Sequence, residues 1–96
     1  MEEPERRVVF KAPGRAQSVP VEDADHILSH LVERALPRLR AEIKRAMQED
    51  AVVVLDEEMR VELVLALDAI EERGELTRDE QALRDTFKEP IRTTDR

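Results

Sequence analysis

The chain of 96 residues carries 16 Lys plus Arg against 23 Asp plus Glu, a net charge of −7, and hydrophobic and charged side chains each make up 41%. That composition is expected to give one compact domain near the size at which a single core becomes adequate. The absence of cysteine excludes a disulfide framework, a thiolate metal site and a cysteine nucleophile.

No apolar run approaches the roughly 18 residues of a membrane helix, and the opening MEEPERRVVFK lacks the apolar stretch of a signal peptide. A soluble cytoplasmic protein is the expectation. Phe10 and Phe87 are the only aromatic residues, too few to stack on successive bases of a single strand. Charge is uneven along the chain: residues 1–48 sum to +1 and residues 49–96 to −8.

Residues 1–7 are charged, contain Pro4 and show no periodicity, so they read as a loose tail. Two β-prone runs follow, Val8 to Ala12 and Gln17 to Val21, with Pro13-Gly14 between them. Gly accepts the positive φ that a type II turn demands. The pattern predicts a hairpin with a loop longer than two residues, and Pro20 places its second strand at a sheet edge.

From about residue 23 to 48, Leu28, Val32, Ala35, Leu36, Leu39, Ile43, Ala46 and Met47 keep the 3.6-residue period of an amphipathic helix. Pro37 removes one backbone donor and crowds the carbonyl of Glu33. Because the stripe keeps its phase across Pro37, one helix kinked there is predicted, ahead of the alternative of two helices with a short break, for which Leu36 would be a poor N-cap. Residues 51–55 read either as a short third strand or as an apolar linker.

Asp56 suits an N-cap, with Glu57 and Glu58 in the first turn of a helix reaching about Arg73 and ended by Gly74. Thr77 and Glu80 have capping-box spacing, opening a last helix over about 78–89 that stops before Pro90. Residues 91–96 read as a frayed end. The expected fold is mainly α, an N-terminal β-hairpin followed by about three helices, with residues 8–90 forming one domain.

His26 and His30 stand one turn apart, the spacing at which two imidazoles share a metal, and Glu22 or Glu33 would add a carboxylate. The wheel sets both histidines on the polar side, opposite Leu28 and Val32. The plain reading is two solvated side chains, with no cofactor. A hydrolytic zinc motif would carry Glu after its first His, where Ile27 stands. Asp25, His26 and Ser29 lie on one helix and do not converge as a triad. With Gly14 and Gly74 as the only glycines, no phosphate loop forms. A non-enzymatic protein is expected.

Arg34, Arg38 and Arg45 line one flank of the long helical stripe. They support an alternative reading as a DNA-associated regulator or antitoxin-like protein, against which the net charge of −7 weighs. The more informative segment is the helix after Asp56. Met59, Leu63, Ala66, Leu67 and Ile70 form its main stripe, while Val61, Val64 and Leu65 fall on nearly the opposite side. A helix apolar on two sides is buried on two sides. Either neighbouring elements sandwich it, or Val61, Val64 and Leu65 form an interface with a second copy or another protein. An interaction module acting as a homodimer is the leading expectation.

Overall fold

The hairpin turns through only two residues. In the computed structural model, which describes residues 6–31, 37–49 and 52–89, β1 (Arg7–Ala12) pairs antiparallel with β2 (Arg15–Pro20), from Arg7 opposite Pro20 to Ala12 opposite Arg15. Gly14 sits at φ +76°, and the ring of Pro13 fixes a negative φ before it, a sequence that among the standard turns belongs to type II. The longer loop expected from sequence is unnecessary, because this glycine reverses the chain by itself. β1 begins at Arg7, whose Nε donates to Ser18 Oγ at 2.9 Å, and the Arg6 carbonyl accepts from Val21 N at 3.1 Å. Both residues belong to the stretch read as tail.

Residues 52–54 form β3 (Val52–Val54), so the third strand is present. It lies parallel to β1 with Val53 opposite Phe10, giving the order β2-β1-β3. A parallel neighbour requires a crossover, which the two helices between β2 and β3 supply. Val8, Phe10, Ala12, Val19 and Val53 are buried on one face of the sheet. As Pro20 predicts, β2 is an edge strand.

The single kinked helix is not what forms. α1 (Val21–His30) closes at Leu31, whose N–H reaches Leu28 O at 3.0 Å, and a separate helix follows, described as α2 (Pro37–Glu49). Continuity of the apolar stripe does not require continuity of the backbone ladder. Separation also frees α1 to choose its own phase: Ala24, Ile27 and Leu31 are buried, whereas Leu28 is half-buried. Val32, Ala35 and Leu36 lie outside the described residues.

The later helices follow their local signals. Asp56 caps α3 (Glu57–Glu72), accepting from Met59 N at 2.8 Å. At its far end Gly74 adopts φ +73°, with Glu75 N bonded to Ile70 O at 3.2 Å and Gly74 N to Glu71 O at 2.9 Å. These are the two hydrogen bonds of a Schellman motif. The box of Thr77 and Glu80 then opens α4 (Arg78–Phe87), with both reciprocal bonds at 3.0 Å. Only Leu76 separates the two motifs, and it packs against the core.

Two guanidinium groups close the far end of α4. Arg60, only 6% exposed, grips Glu57 through Nε at 2.8 Å and Nη2 at 2.6 Å. Its Nη1 donates to the carbonyls of Phe87 at 2.9 Å and Lys88 at 3.2 Å. Arg15 Nη1 reaches Glu89 O at 2.6 Å and Thr86 O at 3.3 Å. Helix ends leave carbonyls unpaired and carry partial negative charge, and here β2 and α3 each contribute a cation to them.

Candidate functional site

Two regions carry the residues singled out by sequence. On α3, Met59, Leu63, Ala66, Leu67 and Ile70 are all buried, as their stripe predicts. On the other side, Val61 remains 38% and Leu65 54% exposed. Val64 is half-buried and packs on the core. The sandwiching alternative thus accounts for part of Val64 only. Beside Leu65, a groove of about 160 Å³ runs between α1 and α3, lined by His30, Leu31, Glu62, Ala66 and Ala69. Val52 and Val54 on β3 are a second exposed pair, 40% and 63% open. Alternation along a strand foretells such exposure only once its buried face is known.

The arginine flank is largely engaged within the chain. Arg38 pairs with Asp56, and Arg45 pairs with Glu42 at 2.6 Å and Glu49 at 3.9 Å. Arg34 lies outside the described residues.

The histidines are not simply solvated. His26 is half-buried, with Nδ1 2.9 Å from Glu80 Oε2 and Nε2 3.3 Å from Glu75 Oε1. Glu80 is wholly buried, and its other oxygen accepts the Thr77 N–H of the capping box. The Thr77 hydroxyl donates to Asp23 Oδ2 at 3.1 Å. The His30 ring stands edge-on to His26, with 5.1 Å between centroids and 81° between planes. The carboxylate joining the pair is therefore Glu75, from the α3–α4 connection. Glu22 is exposed on α1, and Glu33 lies outside the described residues.

Burial opposes a charge on His26, but the hydrogen bonds and negative charges of Glu80 and Glu75 outweigh it and raise its pKa above the ordinary 6.5. Burial is also the main cause of a raised Asp23 pKa, helped by the charges of Glu80 and Asp79 against the Thr77 hydroxyl and His26. A doubly protonated imidazolium satisfies both carboxylates at once, since each ring nitrogen is then a donor.

Glu75 and Glu80 were visible in the sequence only as parts of a helix stop and a helix start. Their approach to α1 depends on how the helices pack. Among the described residues no helix is long and apolar enough to cross a membrane. No protein-family model, curated protein or solved structure matches the chain.

Proposed function

We propose that the chain is a non-enzymatic cytoplasmic module for protein–protein contact whose first partner is a second copy of itself. The observation carrying this reading is the outward side of α3, where Val61 and Leu65 stay exposed although the opposite side is fully engaged in the core. Apolar side chains grouped on one helix face contribute to association when a partner removes them from water.

Charge favours a like partner. Glu58, Glu62 and Glu72 on α3, and Arg40 and Lys44 on α2, hold no ion pair among the described residues. A second copy supplies cations for the acidic rim of the first. β3 adds a sheet edge, unpaired among the described residues, in which valines replace the lysine, proline or bulge that commonly discourages strand pairing.

The experiment is light scattering across a salt series, on the parent chain and on Leu65→Asp. A dimer in the parent, reduced to monomer by Leu65→Asp with its circular dichroism unchanged, supports the reading. A dimer indifferent to Leu65→Asp removes α3 from the interface.

A further inference from the structure

We propose that His26, His30 and Glu75 form a binding site for a divalent transition-metal ion of the zinc class, with Glu80 as the partner that orients His26. The inference is independent of self-association. His26 and His30 lie one turn apart on α1, so their rings project from the same region of the helix. The third donor arrives from elsewhere in the chain, through the tight Schellman turn that sets Glu75 against α1. One ligand atom from each of the three residues lies within 4.8 Å of the others.

Distances favour a small tetrahedral ion. His26 Nε2 and Glu75 Oε1 are 3.3 Å apart, which is about the 3.3 Å edge of a tetrahedron with metal–ligand bonds of roughly 2.0 Å. The remaining gap narrows by rotation of the Glu75 side chain, which is half open to solvent, and of the half-buried His30 ring. Two imidazoles and one carboxylate suit zinc-class ions, whereas magnesium and calcium prefer sets composed of oxygen. The fourth position is left for water.

The strongest feature is behind the ligands. A metal-binding imidazole commonly donates its other N–H to a carboxylate, which fixes the tautomer and the ring orientation. His26 presents that arrangement: Nδ1 meets Glu80, whose carboxylate is wholly buried and held by the Thr77 N–H. Nε2 is thereby aimed at Glu75. A cation at this point replaces the proton shared between His26 Nε2 and Glu75, and clamps α1 to the connection between α3 and α4.

The test is calorimetric titration of the full chain, free of any polyhistidine tag, with zinc chloride, together with the visible spectrum of the cobalt-loaded protein. The expected result is one ion per chain, the intense absorption bands of tetrahedral cobalt, and no response to magnesium. His30→Ala and Glu75→Gln should each weaken zinc binding by about 100-fold, the upper end of the effect of losing even an outer-shell partner. Glu80→Gln retains the capping-box acceptor and should weaken binding by about tenfold. Neither His30 nor Glu75 is buried in the core, so both variants should keep the parent's circular dichroism. Absence of zinc binding in the parent overturns the site. So does zinc binding that survives Glu75→Gln unchanged, which would reveal an ordinary histidine pair.

Discussion

Glu80 and His26, separated by 54 positions in sequence, meet at 2.9 Å between a fully buried carboxylate oxygen and Nδ1 of a half-buried imidazole. The same carboxylate closes the capping box of α4 with its other oxygen. A single side chain therefore both starts a helix and joins it to α1. A buried carboxylate is costly without partners, and these two contacts supply them.

Replacement of Glu80 separates the two roles. Glu80→Ala leaves the Thr77 N–H and His26 without their acceptor and should cost about 1–3 kcal/mol. Glu80→Gln keeps an acceptor for the Thr77 N–H, sets an amide NH2 against His26 Nδ1, and should cost less than Glu80→Ala. Urea denaturation of the two variants provides the comparison. Equal losses would mean that the contribution lies in the carboxylate charge facing His26 and not in the capping acceptor or the packing.

The pH dependence follows from the raised pKa of His26. Glu80 from α4, Glu75 from the connection, and Asp23 and His30 from α1 surround its ring. A folded-state pKa above the ordinary 6.5 means that the stabilisation is full below the unfolded pKa. It is lost as pH rises through the folded value. In metal-free buffer, the melting temperature should therefore fall on this limb, and His26→Gln should flatten that fall. An NMR titration of the imidazole protons should place the His26 midpoint above the ordinary 6.5. A midpoint below 6.5 would contradict the account.

Arg60 holds the start of α3 to the end of α4 through Glu57 and the carbonyls of Phe87 and Lys88. Arg60→Met retains much of the aliphatic packing but leaves those carbonyls without their donor, at a cost of about 2 kcal/mol. Glu57→Gln should cost less than about 1 kcal/mol, because Glu57 is accessible to water. Chemical denaturation of both checks the order. A larger effect at Glu57 would place the stabilisation in the ion pair instead of the carbonyl contacts.

Val64 and Leu65, adjacent in sequence, should respond differently to the same substitution. Val64 packs on the core, so Val64→Asp introduces a carboxylate into partly apolar surroundings and should destabilise the monomer by about 2 kcal/mol. Leu65 is 54% exposed, so Leu65→Asp should change monomer stability by no more than about 0.5 kcal/mol. Thermal melts at high dilution isolate this difference from association. Equal destabilisation would mean that Leu65 also belongs to the core.

The features legible in sequence are those decided within a few residues. Asp56, Gly74 and the Thr77–Glu80 box each act on backbone groups no more than five positions away. The two sides of α3 were equally legible, since one helical period sorts Val61 and Leu65 from Leu63 and Leu67. Leu31 shows the limit of periodicity: the apolar stripe runs on in phase through the sequence although α1 closes there. The wheel also displays only its own helix. It placed His26 among polar neighbours but contained neither Glu75 nor Glu80, which approach after the α3–α4 connection folds back. Arg60 was hidden for the same reason, because its carbonyl partners lie 27 and 28 positions further along.

Self-association through the exposed side of α3 is tested most directly by the mass of the parent chain in solution. Light scattering at moderate salt, extended through a dilution series, should give twice the 11.1 kDa of one chain at the higher concentrations and approach that single mass on dilution. A mass of 11.1 kDa at every concentration and salt level would contradict the account.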